Sequence, residues 1–300
     1  MDLGVIFSQA DSGTDPNAIR AWVQTAEAEG FDHVMAYDHI LGASLERLGP
    51  GPFGNFPGPP YTAENTFHEI LVLFSHLAAV TERIEFVTSV LVLPQRQAAL
   101  AAKQISTIDL LSGGRLRVAV GVGWNFAEYE GLGADFPHRV DVLAEQIEVM
   151  RALWTEPVTR YEGRFHHVDG VGINPLPTRR IPIYMGTGAS DAALRRVVRT
   201  ADGWMPLLLP GLDPIDFRTG VERLRQLAAD ADRDPATLPI HGRVYLGDGW
   251  QRQVDEALEV GVAHLSIGFN RMANRGLTHA QHLDAVLAVK PELDRLVGRS

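Results

Sequence analysis

The sequence predicts a closed (β/α)8 barrel. Two observations carry that expectation: short, nearly continuous apolar runs, each followed by a stretch of helical periodicity, and the regularity with which the pair recurs eight times along 300 residues. Runs apolar on both faces belong to a parallel sheet covered by helices, and eight units suffice to close a ring. A doubly wound open sheet is the other architecture with this alternation. No short repeat, low-complexity tail or linker divides the chain, so residues 1–300 are expected to form one barrel domain.

The elements follow in order. "LGVIFS" (3–8) is the first strand. Asp15 then offers an N-cap ahead of Pro16 at the first helical position, and Gly30 suits the left-handed stop after Glu29. "HVMAYD" (33–38) is the second strand, and 66–81 the helix after a first insertion. Residues 83–92 form strand three, and 97–114 a helix with Ala101, Ile105, Ile108 and Leu111 near one face and a Gly-Gly stop. Strand four is 115–123 and its helix 139–154; a second insertion carries a hairpin around 159–168. The remaining strands are 181–186, 202–207, 240–247 and 263–269, alternating with helices at 190–200, 214–231, 250–261 and 279–297. The Pro/Gly-rich insertion 41–66 interrupts the alternation without ending it, which makes it a rim loop.

Composition narrows the function classes. The formal charge of −10 argues against a general nucleic-acid partner. No run approaches the ~18 apolar residues a membrane helix needs. The N-terminus has no basic region or cleavage site of a secretory signal, and zero cysteines exclude thiolate chemistry, so a cytoplasmic protein is expected.

In such barrels the active site lies at the C-terminal strand ends. That rule places Ser8, Gln9, Asp38, His39, Ser89, Gln95, Arg96, Trp124, Asn125, Gly186, Thr187, Gly188, Arg271 and Asn274 at the mouth. Arg179 and Arg180 precede strand five and read as solvated surface at the bottom; Arg243 begins strand seven, too low for an assured reach to the mouth. No His-x-His start supports a metal, so none is expected. The only lysines, Lys103 and Lys290, fall in helical patterns, which disfavours a Schiff base, and no Gly-x-Ser-x-Gly elbow marks a serine hydrolase. A cofactor barrel remains, with the glycines of "GTGASDAAL" and Ser190 at a helix N-terminus available to a phosphate.

Several phrases in one order carry a resemblance. "AEAEGFDHVMAYDHI", "SVLVLPQRQAALAAKQISTIDLLSGGRLRVAVGVGWN", "EVMRALWTEPVTRYEGRFHHV" and "IPIYMGTGASDAALRRVVRTADGWMP" together resemble the luciferase-like monooxygenase superfamily, most of all its actinobacterial oxidoreductases that use the deazaflavin coenzyme F420. The resemblance implies a (β/α)8 barrel with insertions at the mouth, here approximately 41–66 and 155–180. It implies hydride transfer between coenzyme F420 and a small organic substrate; FMN-dependent oxygenation is the alternative, and a flavin-binding barrel without turnover the third. It matches His39 to a histidine beside the ring, and Ser89–Val90 to a non-prolyl cis peptide on which the ring leans. Gly186, Thr187 and Gly188 match the phosphate loop. Asp38 is expected to orient the imidazole and Arg96 to meet the acidic tail of a deazaflavin; Phe7, Trp124 and Asn125 would face substrate, under a lid at 49–60. A homodimer is expected. One departure is that Trp124 follows Gly121-Val122-Gly123 where sugar-phosphate dehydrogenases of the family carry a glutamate, which sets that substrate aside.

Overall fold

A computed structural model describes residues 1–51, 58–208, 215–269 and 276–299. The wall consists of β1 (Asp2–Phe7), β2 (His33–Ala36), β3 (Glu85–Thr88), β4 (Leu116–Gly121), β5 (Ile183–Thr187), β6 (Gly203–Pro206), β7 (His241–Tyr245) and β8 (His264–Gly268). Neighbours in sequence pair in parallel from β1 to β6, β7 pairs β8, and β8 returns to β1 with Val5 opposite Ile267. A parallel bridge between Trp204 and Ile240 joins β6 to the approach of β7 and completes the ring. The open-sheet alternative is thereby excluded.

Helices α1 (Pro16–Ala28), α2 (Ile70–Ala78), α3 (Ala98–Leu111), α4 (Arg139–Thr155), α5 (Asp191–Thr200), α6 (Phe217–Asp230), α7 (Trp250–Glu259) and α8 (His279–Leu296) follow the strands in turn. Asp15 caps α1 by accepting from the Asn17 amide at 2.9 Å, with Pro16 opening the helix. Helix α2 starts later than its sequence pattern because the Glu69 carboxylate caps it through the Val72 amide. Leu111 is 83% exposed, whereas Ala101, Ile105 and Ile108 are buried; at 100° per residue it lies about 80° off their line. The expected strand 83–92 is broken: β3 stops at Thr88, the Ser89–Val90 peptide is cis, and Leu91–Val92 pairs with β4 instead. The second insertion contains an antiparallel hairpin, Thr159–Glu162 with His167–Val171. No described helix is long and apolar enough to cross a membrane.

Two apolar layers result from the alternation along each strand. Leu3, Val5 and Phe7 face outward and pack with α1 residues such as Trp22, while Ile6, Met35, Val87, Ala119, Tyr184 and Met205 fill the ring. Inside, large residues sit opposite glycines. A Cβ on Gly4 would lie 2.1 Å from the His33 ring and one on Gly268 2.6 Å from Ile6 Cβ. The closed ring thus has room for its own side chains only because neighbouring positions carry none.

The lower end of the interior is polar. His33 and His241 both place Nε2 2.8 Å from Ser266 Oγ, and Arg117 pairs with Glu85 at 2.6 Å. His264 bonds Asp2 through Nδ1 at 2.7 Å and the Tyr184 hydroxyl through Nε2 at 3.0 Å. Burial, reinforced by the Arg117 charge, pushes His33 and His241 well below the usual imidazole range; the same two effects take His264 to about 4. Histidines held neutral when folded bind protons more readily once unfolded. Stability is therefore full above the ordinary imidazole pKa of ~6.5 and drains as pH falls below it. Thermal unfolding followed by circular dichroism should show a flat melting temperature above pH 7 and a steady decline between pH 6.5 and 4. A melting temperature constant over that window would contradict the neutral-histidine account.

Candidate active site

Strand β2 ends at Ala36, and the next three side chains diverge. Tyr37 rests on the inner apolar layer, half-buried. Asp38 is fully buried, accepting from the Val92 amide at 2.9 Å and from Arg96 Nη2 at 2.7 Å. Arg96 gives its other terminal nitrogen to Glu69 at 2.7 Å and is itself only 10% exposed. Burial raises the Asp38 pKa, with Arg96 and the Val92 amide opposing that rise. This cluster ties the end of β2, the segment after β3 and the start of α2 together. Arg96 is consequently a clamp whose charge is met twice over, and the expectation that it greets a cofactor tail is corrected. So is the role given to Asp38, whose oxygens are spent on Val92 and Arg96 and not on His39.

The imidazole finds another partner. His39 Nδ1 stands 3.4 Å from Glu128 Oε2, and its ring stacks on Tyr61 with centroids 3.7 Å apart. Phe67 and Trp124 meet the same ring edge-on, at 5.1 and 6.4 Å. Glu128 is 1% exposed and accepts from the amides of Ile40 (2.5 Å) and Leu41 (3.0 Å) and from the Tyr61 hydroxyl (3.1 Å). Burial raises its pKa, but the His39 contact and these donors outweigh burial and hold the carboxyl at about 2. An ionised carboxylate only accepts, so the Nδ1 facing it carries hydrogen and Nε2 is left for the mouth.

Asn125 is not a substrate contact in this arrangement. It is 1% exposed, its Oδ1 caps the short helix Phe126–Gly131 through the amides of Ala127 and Glu128, and its Nδ2 donates to the Tyr61 hydroxyl at 2.7 Å. Phe7 is corrected as well. It is fully buried on the outer face against Trp22 and His279, at 4.9 and 4.4 Å, so Ile6 faces inward in its place.

The opposite wall is the bulge. The Ser89 amide donates to the Ala36 carbonyl at 2.7 Å, which seats the cis bond against the end of β2. Val90 then wedges its methyls between β4 and β5: a Cβ on Gly121 or Gly186 would come within 2.4 or 2.1 Å of them. Gly186 is thus required by Val90. Thr187 uses its carbonyl on Trp204 Nε1 at 3.1 Å, while a Cβ on Gly188 would face open space. Among the described residues, Ser89 Oγ and Gln95 Oε1 are buried without hydrogen-bond partners, while the Gln95 amide nitrogen is turned toward the Glu128 carboxylate. Such orphans are costly unless a ligand meets them.

Other expected mouth residues have local partners. Ser8 bonds Asp11, and Gln9 bridges the Tyr37 carbonyl and the His68 amide. Arg271, Asn274 and residues 52–57 of the expected lid lie outside the described residues. Arg179 and Arg180 are exposed, as expected, and each forms an ion pair, with Asp109 at 2.5 Å and Asp202 at 2.7 Å. Arg243 reaches higher than its place in sequence suggested, donating to the carbonyl of Pro206, the last residue of β6, at 2.7 Å. Sequence reasoning missed Tyr61, Phe67, Tyr245 and the site role of Glu128. Only Glu128 had a signal: Asn125 and Glu128 have the spacing of a capping box. No described group of His, Asp and Glu is arranged to hold a metal.

With this geometry in place, likeness to known proteins becomes interpretable. The model of the luciferase-like monooxygenase family matches residues 1–295, and the chain belongs to that family. An uncharacterized protein of Mycobacterium tuberculosis is 34% identical over 272 residues, 88% of each chain. The FMNH2-dependent dimethylsulfone monooxygenase of Pseudomonas fluorescens is 31% identical over 201 residues, 66% of this chain and 49% of its own. In fold, an F420-dependent secondary alcohol dehydrogenase superposes with a TM-score of 0.64 at 20% identity, covering 87% of this chain and 74% of that one.

Arg96→Met would leave the Asp38 carboxylate buried and unpaired, which is expected to cost about 3–5 kcal/mol in denaturant unfolding at pH 8 and less at pH 5, where Asp38 can take a proton. Glu128→Ala strands the Ile40 and Leu41 amides and should cost about 2 kcal/mol, with Glu128→Gln nearer the parent. Equal stability of all three variants and the parent would refute the clamp and the Glu128 hub together.

Proposed function

We propose that the protein is an oxidoreductase that transfers a hydride between coenzyme F420 and a small organic substrate. The observation that carries the reading is the convergence at one rim of an imidazole with a free Nε2, an apolar bulge and unpartnered buried polar atoms. A planar tricyclic ring fits such a set. Val90 offers an apolar face, Ser89 Oγ and Gln95 Oε1 offer hydrogen bonds to a polar ring edge, and Thr187 with Gly188 leaves open space for a phosphate. When bound, the cofactor supplies the hydride chemistry. The chain supplies position and proton handling: Glu128 and Tyr61 fix the His39 ring, and Nε2 gives or accepts a proton at the ring or substrate. Trp124 and Phe67 narrow the space above His39 and limit water there.

The second reading is an FMN-dependent monooxygenase, favoured by the 31% identity to a relative that uses FMNH2. In either reading the insertions 41–66 and 155–180 belong to the same barrel, and a cytoplasmic homodimer acting on a small molecule is the proposed working form.

Titration of the purified protein with FMN and with coenzyme F420, followed by ligand fluorescence, separates the two: tight binding of F420 is expected, and tight FMN binding with no deazaflavin response would overturn the first reading. His39→Ala should keep the fold while lowering cofactor affinity or slowing hydride transfer by about 10²-fold or more. Unchanged kinetics would remove His39 from the site.

A further inference from the structure

The inner apolar layer has a partly exposed upper surface made of Tyr37, Val90 and Tyr245. Arg243 shares that surface. It sits in the middle of β7, two residues below Tyr245, opposite Ser266 in register, and is itself partly exposed. Its Nη2 donates to the Pro206 carbonyl at the end of β6, which lifts the guanidinium to the level of the C-terminal strand ends. The Tyr37 hydroxyl interacts with both Tyr245 and Arg243.

What the guanidinium lacks is an acid. Among the described residues no carboxylate pairs with Arg243, and the Pro206 carbonyl takes one of its five N–H donors. Arg117, the other arginine inside the ring, is met by Glu85 at 2.6 Å and Asp2 at 3.7 Å. Ser266, opposite Arg243, and the His33 and His241 rings bonded to it form a neutral set with no negative charge to offer. A cation taken partly out of water without a counter-charge is costly, and a protein of net charge −10 has acids to spare. An anionic guest entering from the mouth would offset that cost.

We propose that Arg243, flanked by Tyr37 and Tyr245, is the specificity group of the mouth and recognises a carboxylate on the substrate. The planar fork of donors matches a carboxylate in bidentate fashion, and the Tyr37 hydroxyl, in contact with Arg243 and with Tyr245, stands beside it as a further polar group. The proposal rests on the reading of the mouth as the substrate cavity and adds the class of substrate: small organic acids, with the anionic end down on the floor and the reacting carbon above it, level with the bulge and His39.

The test uses the full chain without cofactor, with benzoate as probe and benzamide as its neutral counterpart, followed by calorimetry. The parent should bind benzoate about 10-fold or more tightly than benzamide. Arg243→Met should weaken benzoate by at least about 10-fold and leave benzamide within about 2-fold, while Arg243→Lys, which keeps the charge without the fork, recovers part of the loss. Equal affinity of the parent for the two probes, or benzoate binding untouched in Arg243→Met, overturns the proposal. The same titrations at saturating FMN or F420 separate substrate from cofactor. If the cofactor expels benzoate and Arg243→Met weakens the cofactor as much as it weakened benzoate, the guanidinium serves the cofactor's own oxyanion and the proposal fails. Because the first arm needs no bound cofactor or turnover, its outcome stands apart from the success or failure of the hydride-transfer reading.

Discussion

The charge on Asp38 constrains everything at the rim. A carboxylate that emerges from the end of a buried strand must be met at once, and here it is met by the Val92 amide and by Arg96. To reach it, the chain after β3 has to fold back across the end of β2, which sets the position of the bulge. Arg96 in turn holds Glu69 at the head of α2. One buried acid thus fixes three elements relative to one another, with each hydrogen bond limiting the freedom of the next.

His39 gains its position from the same constraint. With Asp38 directed to one side, the following imidazole projects to the other, where the first insertion supplies Tyr61 and the short helix Phe126–Gly131 supplies Glu128. Neither partner would suffice alone. Tyr61 offers a stacking face that leaves the ring free to slide; Glu128 fixes one nitrogen but needs its own charge dispersed over two backbone amides and a phenol. Together they orient the ring without consuming Nε2. The bulge on the opposite wall is equally over-determined, because Val90 fills a notch that exists only where β4 and β5 both carry glycine. Pre-organisation of this kind is what a site built on strand ends offers over one built on long loops.

The ring was legible in the sequence because parallel strands buried on both faces leave continuous apolar runs, and those runs repeat. The same property hid the parity of each strand. In "LGVIF" no polar residue marks which side faces in, so Phe7 read as a mouth residue although it packs on Trp22. His39 was locatable from its position after a strand, and the Ser89–Val90 bulge from the family resemblance. Their partners were not: Tyr61 and Glu128 lie 22 and 89 residues from His39 in sequence, and nothing local in a proline-rich insertion or a short helix announces where it folds back. Asn125 was misread for the opposite reason. A polar residue after a strand at the mouth looks like a ligand, but the helix it begins has a stronger claim on it.

Two arginines show why residue type at the rim does not by itself decide its use. Arg96 and Arg243 are both largely withdrawn from water and both lie near the strand ends, and from sequence Arg96 was the one that looked available. In the folded chain Arg96 is closed off by two carboxylates, so a third anion would face competition at short range. Arg243 meets a carbonyl dipole and the Tyr37 phenol, groups that orient a guanidinium without neutralising it. The difference lies in what the surrounding strands withhold. Around Arg243 the inward positions of the neighbouring strands carry glycine, serine, methionine and neutral histidine, and the acids of the interior are kept to Asp2 and Glu85 at the far end. Keeping acids away from that floor is what leaves a positive charge there with work to do, and it explains how an acidic protein can still present an anion-seeking surface inside its own barrel.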